Sequence, residues 1–574
     1  MACKRFATAL LVAALVLSSC GSRRFPVREP MTRDTDLDPT SLTCQLRPTK
    51  DEPRHVACTP RPYVSPLAWD ALDNSVFRPI SKTFQVDPPR EAVNVNALDE
   101  AVDSAWFTNR IGARHPDREV LLRGACSPGQ ILDGENAAPG TWVIDHGKDN
   151  GASFGFRIRV GKRKYMLKTD VRSQPERPSA ASAIGAAIYH AVGFNTSCEQ
   201  VVFFERGVLE LKPGLTVTDN SGITKPFDAK ALERTLKEAT RRGPLYRMQA
   251  SAWLPGYLLG PFRYEATRDD DPNDVIAHEN RRELRGARLV AAWLNHFDAR
   301  EQNTMDVWFA SNSEVADSSP GVVRHYYLDT SDSFGSEWDW DQVSRRLGRS
   351  YLLDWGDIAT DFITLGIPRR PWEDAQRTKG LEQFGYFSAR NFDPEAWKNE
   401  YPNPAFGRAS ERDNAWMARI LSRFDRGDIA ALVELGKFAH REDAVYLADV
   451  LEQRLRRILE RYLLRLSPLA DPRIEQGERM CLTDLARRRF VLPESTFHYA
   501  ATVARDEHVQ RAAVEVQAHG ELCMRLTHAN NPSASYAIVR ITNAASRFPL
   551  LVHVYDLGAA GGFRVVGLER PEAT

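Results

Sequence analysis

The chain has 574 residues, 76 Lys and Arg against 76 Asp and Glu, and a hydrophobic fraction of 43%. That length exceeds one hydrophobic core and predicts two or three folded units. The proportions exclude a disordered polymer, eight cysteines are too dilute for a disulfide-scaffold miniprotein, and zero formal net charge argues against nucleic acid as a partner.

Taken in chain order, the first feature is an apolar run, Phe6 to Leu17, preceded by Lys4 and Arg5. It is too short for a membrane-spanning helix and reads as the core of a signal peptide over residues 1–20. It ends in Leu17-Ser18-Ser19-Cys20, which resembles a bacterial lipobox. The resemblance implies cleavage before Cys20 and acylation, palmitate included, of its thiol. Gly21 and Ser22 follow without an aspartate, which implies the outer membrane rather than the inner one. The alternative is an ordinary secretory signal with an incidental cysteine. The lipid would be the only membrane anchor, because no other stretch is long and apolar enough to span a bilayer.

With Cys3 removed and Cys20 acylated, six cysteines remain: Cys44, Cys58, Cys126, Cys198, Cys481 and Cys523. An oxidising envelope permits up to three disulfides. Cys44–Cys58 is the expected pair, since it closes a short loop in a Pro-rich segment; the pairing of the other four stays open. No Cys-x-x-Cys spacing points to sulfur-bound zinc.

Residues 21–65 are rich in Pro, Arg, Asp and Thr and read as a tether. Residues 66–139 form an N-terminal extension in which short helices around Trp69 and Trp106 are expected. Thr141–Asp145, Phe156–Val160 and Lys164–Lys168 predict an antiparallel meander. Ser179–Val192 predicts a helix with Ala183, Ile184, Ala187, Ile188 and Ala191 on one face, and Glu199–Phe204 a further strand. From Arg281 to about Leu466 the pattern is mainly helical, with blocks at Arg285–His296, Trp416–Arg426, Ile429–Phe438 and Ala444–Leu466. Beyond Pro472, short runs at Phe490–Leu492, Ala513–Val516, Tyr536–Ile541, Leu550–Tyr555 and Phe563–Leu568 predict a separate β-sandwich over 471–574. The fold class is therefore α+β.

Four elements carry chemistry. They are the loop Gly147–Gly155, Lys168 at a strand end, Asp298-Ala-Arg-Glu-Gln-Asn303 after a helix, and Leu328-Asp329-Thr-Ser-Asp332-Ser-Phe334-Gly335. Phosphoryl transfer asks for such parts: backbone N–H groups and a lysine for phosphates, an aspartate for the acceptor hydroxyl, and oxygen ligands for a divalent cation. Asp298 to Asn303 is similar to the kinase catalytic loop. Leu328 to Gly335 resembles the metal motif of secretory-pathway kinases. The chain thus resembles a divergent protein kinase between Trp142 and Leu466, which implies a β-rich N-lobe over 140–245 and a helical C-lobe over 246–470. The resemblance implies Asp298 as base and Asn303 and Asp329, with Asp332, as ligands of Mg²⁺ or Mn²⁺. It implies Lys168, Gly151, Ser153 and Gly155 as contacts to ATP or another nucleotide, and Glu176 as the acid that pairs with Lys168. The pattern departs at the glycine spacing, at Phe297 where many kinases have arginine, in the absence of an Ala-Pro-Glu element, and in the insertion Ser311–Gly321.

The expected function is an envelope-anchored transferase moving a phosphoryl or nucleotidyl group to an unknown protein or small-molecule hydroxyl. A catalytically inactive kinase-like scaffold is the first alternative. The second is a serine hydrolase on Gly151-Ala-Ser153-Phe-Gly155, whose elbow would need a helix to follow. The acidic run Arg268–Asp274, followed by His278, lacks calcium-loop spacing and reads as a solvated helix start capped by Asp274.

Overall fold

The computed structural model describes residues 24–47, 56–64, 67–82, 90–148, 153–218, 223–311, 320–337, 347–370, 372–373, 375–530 and 535–572. The fold is mixed α and β, and none of its described helices is long and apolar enough to cross a membrane.

The meander forms as β1 (Trp142–Lys148), β2 (Gly155–Val160) and β3 (Arg163–Lys168). Alternation buries Ile144, Phe156, Ile158, Tyr165 and Leu167 on one side. The helix α1 (Arg177–Val192) follows, then β4 (Asn195–Thr196), β5 (Glu199–Phe204), β6 (Leu209–Leu211), the helix α2 (Ala229–Glu238), β7 (Thr240–Arg242) and β8 (Leu245–Ala252). The resulting seven-stranded sheet runs β7-β8-β3-β2-β1-β6, with β5 also paired to β8. Small residues at 180, 181, 183, 185, 186, 187 and 191 let α1 pack closely, and it is buried on nearly every side.

The second half opens with β9 (Tyr257–Gly260) and the helix α3 (Arg282–Leu294). An antiparallel hairpin then stands within a stretch that reads in sequence as mainly helical: β10 (Thr304–Ala310) and β11 (Gly321–Tyr327). Val307, Trp308, Val322, Val323, Tyr326 and Tyr327 explain the interruption, being β-branched or aromatic. Helices α4 (Trp355–Thr364), α5 (Glu411–Leu421), α6 (Arg426–Glu434) and α7 (Arg441–Tyr462) complete this half. Aspartate and serine caps place the starts of α5 and α6 a turn earlier than their apolar faces suggest, through capping boxes at Ser410 and Asp425.

The C-terminal unit has two antiparallel sheets around one core. The first contains β12 (Leu469–Glu475) and β13 (Arg479–Asp484). The second begins with β14 (Ala500–Arg505) and β15 (His508–Ala512). The first sheet resumes with β16 (Glu515–Val516) and β17 (Glu521–Arg525), and the second ends with β18 (Tyr536–Thr542), β19 (Leu550–Asp556) and β20 (Phe563–Glu569). Their orders are β12-β13-β17-β16 and β15-β14-β18-β19-β20. Met480, Leu482 and Leu522 of one sheet meet Val503, Val539 and Val552 of the other. Phe490–Leu492 is not a strand: it follows the short helix Leu485–Arg488, and Phe490 turns with φ +50°.

Two expectations about the ends of the body are corrected. Residues 24–47 are not a free tether but lie against the protein. Phe25 is buried, its amide donates to Tyr536 Oη at 3.0 Å, and its ring fills the space over Gly567. Asp36 is buried and accepts from the Ala105 amide at 3.1 Å. A segment with few apolar residues docks here by backbone pairing and isolated anchors, which composition does not reveal. The acidic run is also no solvated cap: Asp274 is buried, 2.6 Å from His278 and 3.5 Å from the buried Arg281.

The extension ties the units together. Asp99 accepts from Arg282 of α3 at 2.6 Å, Arg419 of α5 at 3.1 Å and Arg570, just past β20, at 2.7 Å. These three guanidiniums hold its carboxyl well below the usual carboxylate range, against its burial. All three pairs of cysteines form disulfides: Cys44–Cys58 as expected, Cys126–Cys198 and Cys481–Cys523.

Candidate functional site

Lys168, the last residue of β3, reaches across to Asp329, in the loop after β11, with Nζ to Oδ2 at 2.7 Å. Burial raises the cost of each charge, but their mutual attraction outweighs it. The lysine is pushed up and the aspartate is held well below its ordinary value. Asp329 also accepts from Ser331 and has φ +36°, a backbone conformation that non-glycine residues rarely adopt.

That loop is fixed from below. Arg177, at the start of α1, donates to Ser331 O at 2.7 Å and Ser333 O at 2.8 Å. Gln174 donates to Gly335 O at 2.8 Å and accepts from the Glu337 amide. Thr330 donates to the carbonyls of Ala181 and Ser182 in α1 and lies against Gly185, where a Cβ would come within 2.5 Å of its hydroxyl.

Asp298 stands behind this pair. Its backbone amide donates to Asp332 Oδ2 at 2.8 Å, and its carbonyl accepts from Asn303 Nδ2 at 2.8 Å. Asn303 O in turn accepts from the Leu328 amide at 2.8 Å. The loops carrying Asp298 and Asp329 are thus one hydrogen-bonded unit. Asp298 Oδ1 lies 2.8 Å from Arg300 Nε, and Arg300 also binds Glu400 at 3.0 Å. Burial pushes the Asp298 carboxyl well above its ordinary value; Arg300 opposes this and Glu400 adds to it. Burial likewise pushes Asp332 up to about 7, opposed by His296 at 3.3 Å. Asp298 Oδ1 and Asp332 Oδ1 are buried, and their contacts with Arg300 and His296 are ion pairs without hydrogen-bond geometry.

Sequence reasoning missed Glu199. It opens β5, accepts from Ser182, Ser197, Gln249 and Ser251, and its charge acts on Lys168. Burial raises its carboxyl above the usual range. In sequence it is one acid at a strand start, and only the fold gathers its donors. The expected partner of Lys168, Glu176, faces elsewhere: it accepts from the Ala439 amide at 2.9 Å and lies 3.9 Å from Arg242 and Arg247.

Gly151 lies outside the described residues. Gly155 is required by close approach, since a Cβ would stand 2.2 Å from Leu167 O. Ser153 offers its carbonyl to Lys148 Nζ at 2.6 Å. A strand, β2, follows it, and none of the described histidines bonds its hydroxyl, so the hydrolase elbow is not formed. Cys20 also lies outside the described residues. Glu475, Cys481 and Cys523 cluster as metal ligands would, but the two thiols are joined in a disulfide. The chain matches none of the known protein families, curated proteins or solved structures with which it was compared.

Proposed function

We propose that the protein is a kinase-like transferase of the cell envelope, a two-lobed body moving a phosphoryl or nucleotidyl group from a nucleotide to a hydroxyl acceptor. The observation that carries this reading is the single linked unit of Lys168, Asp329, Asp332, Asp298 and Asn303, drawn from a strand end and two loops between β3, α3 and β11.

The donor set fits a hard divalent cation. It consists of oxygen ligands only, and Asp332 Oδ1 is a buried acceptor that faces His296 Nε2 at 3.3 Å without a formed hydrogen bond. Asp329, Asn303 and Asp332 would hold Mg²⁺ or Mn²⁺, which when bound neutralises phosphate charge. Lys168 would exchange its bond to Asp329 for a phosphate oxygen. Burial makes the Asp298 carboxyl more basic than an ordinary carboxylate, the direction that favours taking the acceptor's proton, and Arg300 steadies its charge. Asn303 keeps the Asp298 loop in place through its amide. Lipid anchorage through Cys20 belongs to the same proposal and rests on the lipobox-like ending of the apolar run.

The test is thermal unfolding of the full chain with ATP or GTP, with and without Mg²⁺. Nucleotide at a hundredfold excess over its Kd stabilises by about 2.7 kcal/mol. Asp329→Ala is expected to abolish the Mg²⁺ dependence, and Asp298→Ala to leave binding but stop transfer. No metal-dependent stabilisation by either nucleotide would refute the transferase and favour the inactive scaffold.

A further inference from the structure

A separate surface lies on α4 and the chain that follows it. None of the described residues of α4 is buried. Phe362, Ile363, Leu365 and Ile367 are between 78% and 84% exposed. Leu365 caps the helix in the left-handed conformation, φ +54°, where glycine or asparagine is the usual choice. The leucine therefore keeps a large apolar side chain in solvent at a conformational cost. Trp355, at the other end of α4, donates to Ser75 O at 3.1 Å and joins the helix to a second exposed apolar pair, Trp69 and Phe77. An apolar surface of this extent marks a binding face.

Past the tip the chain turns polar, through Arg369, Arg370 and Trp372. Trp372 lines a pocket of about 630 Å³ with Arg349, Arg390, Arg457 and Arg461. Arg349 is paired with Asp393, and Arg461 with Glu395 and Glu411. Arg390 and Arg457 have no carboxylate partner among the described residues; Arg457 donates only to Phe392 O. Beneath them Arg454 is buried against Phe392, 3.7 Å from its ring centre, with carbonyl partners alone. Asp393 and Glu460 also line the pocket, which still holds more guanidiniums than carboxylates and so suits a phosphate.

We propose that this face docks on a phospholipid bilayer, with the Phe362–Ile367 tip in the interface and a headgroup phosphate between Arg390 and Arg457. An apolar tip, a tryptophan at its border and arginines beyond match the layers of a membrane surface. The inference does not depend on phosphoryl transfer.

The test places a genetically encoded fluorescent residue at Ile363 of the full chain, with a control at Ile131, exposed on the loop before β1. Both proteins are bound to vesicles of phosphatidylethanolamine and phosphatidylglycerol. The Ile363 probe is expected to shift to the blue and lose most of its emission to lipids brominated on their acyl chains, and the Ile131 probe to do neither. Arg390→Glu, at an exposed residue with no side-chain partner among the described residues, should reduce the shift with anionic vesicles and not with neutral ones. An Ile363 probe that stays aqueous on vesicles carrying the protein overturns the proposal and leaves the face to a protein partner. Quenching that Arg390→Glu does not change overturns the headgroup pocket.

Discussion

Asp99→Asn tests how the extension holds the helical half and the sandwich together. Asp99 has φ +60°, which asparagine tolerates as well as aspartate does, so the substitution removes charge without new backbone strain. Three guanidiniums, each no more than 4% exposed, converge on this carboxylate. Two keep another acid: Arg282 has Asp413 at 3.3 Å and Arg419 has Glu100 at 3.4 Å. Arg570 keeps only the carbonyls of Ser467 and Leu469. Breaking a buried ion pair costs about 3–5 kcal/mol, and the surviving partners set the expectation near the lower end, at about 3 kcal/mol. Most of it should fall on Arg570, hence on the join between β20 and the body. Hydrogen exchange of peptides covering β12 and β20, against peptides of β2 and β3, reads this directly, and a double-mutant cycle with Arg570→Met should show coupling above about 1 kcal/mol. Faster exchange spread evenly over the chain, or a change below about 0.5 kcal/mol at β20, would refute the charge argument.

Gly185→Ala would drive a methyl into Thr330, next to Asp329; a loss of about 2 kcal/mol in stability is expected, with a weaker Mg²⁺-dependent nucleotide response if the proposed function holds. Replacing Cys126 and Cys198 together by alanine opens a 72-residue closure and should cost about 3–4 kcal/mol, seen as a lower urea midpoint. Burial pushes His553 down to about 4 from its usual 6.5, so the folded state binds fewer protons than the unfolded chain between those values. Its contribution is present above pH 6.5 and is lost as the pH falls toward 4, by roughly 3 kcal/mol at most. His553→Gln should flatten the acid limb of the sandwich's unfolding curve.

The meander, β5, α1 and the helices α3, α5, α6 and α7 were legible in sequence because alternation and 3.6-residue periodicity survive where one face is buried, whereas α4 buries no face and was not expected. Lys168 and Asp329 were each singled out in sequence, for phosphate and for metal, but their direct bond was not expected. What failed was information that exists only between segments. Glu176 looks like a partner for Lys168 by position alone, yet its positive φ turns it to the Ala439 amide. Glu199 is defined by four donors from three separate stretches. Phe25, Asp36 and Asp99 each hold a polar segment by one residue, and a composition window averages single anchors away.

The hairpin of β10 and β11 has a consequence for how such proteins diverge. Its ladder closes with Thr304 opposite Tyr327, and the next bond, Leu328 to Asn303, belongs to the site itself. The distance in space between the two loops is therefore set at the base of the hairpin, whatever happens at its far end. The base of the hairpin, not the length of chain between Ala310 and Gly321, places Asn303 relative to Asp329. Separation along the chain is thus free to drift under selection while the chemistry stays put, and a search that demands fixed spacing between such motifs will pass over proteins that keep the same geometry.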